Sequence, residues 1–330
     1  MSNRRGHGTL AAALRRIGRE PAVDSLTSIL LVGGLSGSSV HQLEVAGEIM
    51  VLKITTPSED GQPMARARRE VWFYRDLAAR VPILVPRVLG LDLDERGGAV
   101  ILLAAYTPSP LPDEWTKCSY VQIARQLGHL HATFIGREAV TTLPSWLRAT
   151  PKVSIAQCRN AARTWRALSD RDDLSMVFEH YLRKTARLAM RVRTLDARMF
   201  TLPTTLCHGD CHAGNLLQGP GGEWIWADWQ DVRLGPGEDD LAFFWQRAFV
   251  AADTSPPYDA MVQAYGVGLM TGDGVQITFE QLVRAITWAE LRSWLVAWPN
   301  YLRFLSTEQV ERVLQRVDML IGQLELADQL

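Results

Sequence analysis

The chain has 330 residues, 47% of them hydrophobic and 22% charged, with a formal net charge of −1. That balance suits a sizeable folded core and excludes global disorder, and near-neutrality gives no electrostatic reason to expect nucleic acid or an anionic membrane as partner. Only four of the 35 basic residues are lysines, so a lysine inside an apolar strand stands out, whereas the arginine cluster Arg66, Arg68 and Arg69 does not.

In chain order, residues 1–8 read as a loose tail, followed by a short amphipathic helix through Leu10, Leu14 and Ile17. Residues 28–35, 40–45 and 49–55 alternate as strands around a glycine turn, a β-meander. A helix over residues 64–80 carries Val71, Tyr74, Leu77 and Ala78 on one face, and strands over 85–92 and 98–106 follow. These make a small α+β lobe over residues 1–106. Three prolines within residues 107–112 argue against a continuing sheet or a long helix, and mark a hinge. Residues 113–330 then read as mainly helical, with apolar stripes over 119–134, 173–197, 258–269, 279–298 and 307–327. Residues 136–172 give no clear pattern. The longest apolar stretch, residues 99–106, is far below spanning length, and no signal peptide is visible. Four cysteines do not make a disulfide framework at this size, so a reduced, cytoplasmic setting is expected.

The segment from Cys207 to Asp231 interrupts the helices and carries the chemistry. Asp210, Asn215 and Asp228 are spaced to suit a hairpin offering one carboxylate to a hydroxyl and two oxygen donors to magnesium. Alone, Asp210 reads as a turn aspartate capping a loop; with Asn215 and Asp228 at these distances, the chemical reading prevails. Cys207, His208, Cys211 and His212 are all zinc-ligand types, but they fall in two adjacent pairs that one short loop closes awkwardly into a tetrahedron.

Lys53 alternates with apolar residues on a strand, and Glu70 is the acid on the following helix that can pair with it; alone, Lys53 reads equally as an edge lysine facing water. The glycine turn at residues 33–39, with Gly37 and Ser38, lets backbone N–H groups approach phosphate, though it matches no standard nucleotide loop. Asp240 reads as a helix N-cap or as a brace for the loop at Asp210. Seven of eleven tryptophans lie between Trp224 and Trp298. Trp288 and Glu290 there read as core, or as part of an aromatic, partly acidic substrate pocket, and Asp231 is among the acids that could receive a polyamine substrate or simply be surface acids.

In this order, the parts resemble the aminoglycoside phosphotransferase and choline kinase-like families, relatives of the protein kinases. The resemblance rests on His208-Gly-Asp210-x-His212-x-x-Asn215 followed by Asp228-Trp229. It implies a two-lobed protein-kinase-like fold and transfer of the γ-phosphoryl group of ATP, or GTP, to a small-molecule hydroxyl. By it, Asp210 is the catalytic base, His208 orders the catalytic loop, and Asn215 and Asp228 hold Mg2+. Lys53 with Glu70 positions the phosphates, residues Ala104 to Tyr106 form the hinge against adenine, and Asp240 steadies the catalytic loop. Residues 136–200 match nothing in the family pattern, and the absence of Ala-Pro-Glu after Asp228 sets the chain apart from protein kinases proper. The acceptor reading is an aminoglycoside or related antibiotic. The alternatives are a metabolic acceptor (a sugar, an amino sugar or an amino alcohol such as choline) and a nucleotide-binding pseudoenzyme.

Overall fold

The computed structural model describes residues 3–20, 27–31, 37–45, 47–94, 96–136, 140–171, 173–174, 177–272 and 276–326. Residues 33–36 of the glycine turn and Ala327 of the last expected helix lie outside them. The chain divides into two units. One comprises Met1–Ser109, Pro144–Leu147 and Gly214–Val232, and the other comprises Pro110–Leu143, Arg148–Ala213 and Arg233–Leu330.

The first unit opens with helix α1 (Asn3–Arg16), strands β1 (Thr27–Leu31), β2 (Ser39–Val45) and β3 (Glu48–Thr55), and helix α2 (Gln62–Asp76). Strands β4 (Val88–Asp94) and β5 (Gly98–Ala104) complete an antiparallel sheet of order β1-β2-β3-β5-β4. Alternate residues of a strand face opposite sides. Met50, Leu52 and Ile54 of β3, with Val100 and Leu102 of β5, therefore form one apolar face, which buries Leu10, Ala13 and Leu14 of α1. Helix α1 starts at Asn3, so the expected loose tail is helical from there. Once those apolar residues hold the helix on the sheet, extra turns upstream cost propagation and not nucleation. The Arg16 guanidinium fastens its end, bonding Asp92 and the carbonyls of Gly97 and Gly98.

The opposite sheet face takes α2. A three-stranded sheet completes the unit: β6 (Thr107–Pro108), β8 (Leu216–Gln218) and β9 (Trp224–Trp226), in that order. The proline-rich stretch thus does enter a sheet, contrary to the expectation. It does so as an outer strand two residues long, where the missing N–H of Pro108 costs no interior ladder bond.

The second unit pairs β7 (Thr204–Cys207) with β10 (Arg233–Pro236) among seven main helices of the described residues. These are α3 (Lys117–Phe134), α4 (Ile155–Ala167), α5 (Val177–Asp196), α6 (Glu238–Ala251), α7 (Tyr258–Leu269), α8 (Phe279–Val296) and α9 (Thr307–Gln323). Helix α4 fills the region that shows no pattern in sequence. A capping box starts it, Ser154 accepting from Gln157 N while the Gln157 side chain accepts from Ser154 N, and the buried Trp165 donates to the carbonyl of Leu295. Helices α3 and α7 cross at Gly128 and Gly268, where a Cβ on Gly128 would lie 2.3 Å from the Tyr265 carbonyl oxygen. Only glycine allows that approach. Among the described residues, no helix is long and apolar enough to cross a membrane.

Candidate active site

In the first unit, strand alternation turns Lys53 away from the α1 face and toward α2. Its Nζ donates to Glu70 Oε2 at 2.6 Å and to Asp228 Oδ1 at 2.8 Å. Burial works to lower the lysine pKa, but the two carboxylates overcome it and hold the ammonium well above its usual value. Glu70 bears the cost. Burial, together with the Asp228 charge, pushes its carboxyl up to about 7 against the pull of Lys53, and its second oxygen is buried without a hydrogen-bond partner. One cation faces two carboxylates, and their mutual repulsion contributes to the raised Glu70 pKa.

The register of β8 against β9 sets the other donors. Leu216 lies opposite Trp226, and Ala227 N donates to the Asn215 carbonyl at 2.9 Å, so Asn215 sits beside the residue that precedes Asp228. Asp228 itself adopts a left-handed conformation, φ 63°, uncommon for a residue with a side chain. Helix α2 clamps the segment that follows. Arg69 donates to the Gln230 carbonyl at 2.8 Å and to Asp231 at 3.1 Å, Arg66 approaches Asp231 at 3.5 Å, and Phe73 stacks on Trp229 at 4.0 Å. The arginines that looked uninformative in sequence are the ties that fix this loop.

Near the glycine turn, Ser38 Oγ bonds Thr55 Oγ1 at 2.7 Å, and Gly37, at φ 76°, leaves no room for a Cβ against Pro63. At the end of β5, Ala104 N donates to the Arg87 carbonyl and Tyr106 accepts through its hydroxyl from Arg87 N.

In the second unit, Asp240 lies within the first turn of α6, with Gly237 at the N-cap, so it is not the capping residue. Its carboxylate instead accepts from His208 N at 2.6 Å and Gly209 N at 3.1 Å. Burial would raise its pKa, yet His131, Arg233 and His208 hold it down at about 2. His131, from α3, lies 3.4 Å from Asp240 and 2.9 Å from the Tyr265 hydroxyl. Arg233 donates to the Gly209 carbonyl at 2.8 Å. The backbone on either side of Gly209 is thereby held from below, and Asp210 follows it, partly exposed, with His212 Nε2 3.6 Å from its carboxylate. Burial drives the thiols of Cys207 and Cys211 well above their usual range, so both are protonated. His131, Cys207 and Asp240 bring three potential metal donors within 4.8 Å, but Asp240 and His131 are already engaged as described and Cys207 Sγ bonds the Pro236 carbonyl.

With this geometry in hand, comparison with known proteins is decisive on the family. The model of the phosphotransferase enzyme family matches residues 29–275, well over half of the chain. The chain belongs to that family. No match was found among the curated proteins. Solved structures share its fold. The choline kinase of Cryptosporidium parvum Iowa II superposes with a TM-score of 0.63 at 11% identity, covering 98% of this chain and 96% of the kinase. The macrolide 2′-phosphotransferase of Brachybacterium faecium gives 0.52 at 18%, covering 95% and 98%. Spectinomycin phosphotransferase, in complex with ADP and spectinomycin, gives 0.55 at 14%, covering 98% of each chain.

For this phosphotransferase, some sequence expectations need correction. Glu290 is fully buried, and both of its oxygens accept from Arg316 at 2.7 Å. Trp288 is 1% exposed and donates to Asp196 at 2.9 Å. Neither has a face to offer a substrate; they pin α8 to α9 and α5. Asp231 is likewise committed, to Arg66 and Arg69. His131 and Arg233 were missed. A histidine inside the apolar stripe of α3 and an arginine five residues after Asp228 were the available signals.

Proposed function

We propose that the chain transfers the γ-phosphoryl group of a nucleoside triphosphate, ATP or GTP, to a hydroxyl of a small molecule. The observation that carries this reading is the buried cluster of Lys53, Glu70 and Asp228, an ammonium fixed beside a left-handed aspartate. The donor set fits a magnesium ion: Asn215 and Asp228 offer an amide and a carboxylate oxygen, the hard ligands it prefers. When bound, the ion supplies charge neutralisation between the phosphates. Lys53 orients the phosphates through its ammonium, and Glu70 holds that ammonium in place. Asp210 accepts a hydrogen bond from the acceptor hydroxyl and orients it for in-line attack, a role typically worth roughly 10²–10⁴ in rate. Asp240 and Arg233 keep the loop at Gly209 from sagging, and His208, whose Nδ1 accepts from Asp210 N at 3.3 Å, helps set the turn.

The acceptors named for related structures, choline, macrolides and spectinomycin, each carry an alcohol group, so the acceptor class is read as a small hydroxyl compound. The test is thermal melting with ATP and with GTP, each with and without magnesium, followed by acceptor-stimulated nucleotide turnover against antibiotics, sugars and amino alcohols. Magnesium-dependent stabilisation and turnover with one acceptor class support the reading. Magnesium-dependent binding without stimulated turnover anywhere in a broad panel favours a nucleotide-binding module.

A further inference from the structure

A cleft of about 550 Å³ opens wholly within the second unit. Its walls come from the segment at Thr150–Val153, the end of α5, Thr201, and the start of α6 with Arg292 of α8. The charges on these walls sort into two groups. Arg292 is spent, because it bridges Asp196, at 3.0 Å, and Asp239. Those two acids share one internal cation, which leaves one negative charge on that side of the cleft. Lys152 and Arg193, in contrast, are exposed at the cleft and make no ion pair among the described residues. Three cations against two carboxylates leave the walls one net positive charge, and the two cations not engaged with those acids are Lys152 and Arg193.

We propose that this cleft binds a small anion, a phosphate or carboxylate group, through Lys152 and Arg193. Two flexible cations on separate elements suit a tetrahedral or planar anion, and charge-assisted hydrogen bonds are the strong class. A polycationic ligand is disfavoured there because no uncommitted carboxylate lines the cleft. The cleft is also tied to the loop before Asp210. Thr150, on its wall, accepts from Arg233, which holds the Gly209 carbonyl. Asp239, on the opposite wall, directly precedes Asp240, which holds the amides of His208 and Gly209. Occupancy of the cleft thus reaches the catalytic loop from both sides. The anion is either free in solution or the acidic end of the acceptor; only the second source rests on the proposed function.

The probe is inorganic phosphate, titrated in thermal melts against sodium chloride at matched ionic strength, which removes general screening. Wild-type protein is expected to gain stability with phosphate, and Lys53→Met to keep that gain, since the nucleotide cluster is not the site. Lys152→Glu with Arg193→Glu is expected to weaken the phosphate response by at least about tenfold in apparent affinity. Both positions are exposed, so the double variant folds. A wild-type melt indifferent to phosphate, or a response equal in the double variant, or one abolished by Lys53→Met, overturns the proposal. In turnover assays, phosphate competing with the acceptor assigns the anion to the acceptor, and phosphate changing the rate without competition assigns it to a free ligand. The melting arm decides the anion site even if no turnover is found.

Discussion

Glu238 is fully buried in the first turn of α6, next to the two acids just described, and a change of one atom there has a calculable effect. Its Oε1 accepts from Leu202 N at 2.9 Å, while its Oε2 is buried without a partner. Burial first, then the charge of Asp239, pushes its carboxyl from 4.5 to about 8. The native state therefore keeps its proton where the unfolded chain has lost it. Stability from this group is fully present below 4.5 and is lost as pH rises toward about 8. The slope is about 1.4 kcal/mol per pH unit, an upper limit that structural relaxation reduces to a total of roughly 2–4 kcal/mol. Glu238→Gln removes the titration while matching the protonated acid in shape and keeping the bond to Leu202 N. Urea unfolding between pH 5 and 9.5 should show both proteins equal at the acid end, with the variant more stable by that amount above pH 8. Parallel pH profiles would refute the reasoning, since they would mean that Glu238 ionises alike in both states.

Lys53→Met leaves Glu70 and Asp228 without their cation, so the free protein should lose about 3 kcal/mol, the scale for breaking a buried pair. Magnesium should restore more stability to the variant than it adds to wild type, read by melting with and without the ion. Arg69→Ala removes the part-buried bonds to the Gln230 carbonyl and Asp231, at a stability cost of about 1–2 kcal/mol. Because it loosens the segment after Asp228, kcat should fall more than nucleotide KM rises in steady-state assays. Gly128→Ala forces α3 and α7 apart at the Tyr265 carbonyl and should cost about 2–4 kcal/mol, measured as a lowered urea midpoint at unchanged slope.

The parts of the site legible in sequence are those whose geometry is local. The spacing of Asn215 and Asp228 is the register of one tight hairpin, and a two-residue period places Lys53 opposite the Met50, Leu52 and Ile54 face. Glu70 is legible because α2 offers it as the acid within reach of that strand. What escaped depends on partners remote in sequence. His131 finds Asp240 across 109 positions and Arg171 finds the carbonyls of Leu302 and Leu305 across more than 130. Glu290 stayed open between core and pocket in the sequence because Arg316, its partner, sits on another helix. Helix α4 escaped for a different reason: Ser154 and Gln157 spell its capping box, but its stripe of Cys158, Ala161, Ala162 and Trp165 is too weakly apolar to announce a helix.

The central claim is that Asp210 acts on the acceptor hydroxyl while the nucleotide is held by other residues. Its most direct measurement is Asp210→Asn, assayed for phosphoryl transfer to the best acceptor and, separately, for magnesium-dependent nucleotide binding. Turnover reduced by about 10²-fold or more, with nucleotide affinity unchanged, is the expected result. Wild-type turnover in that variant would contradict the account.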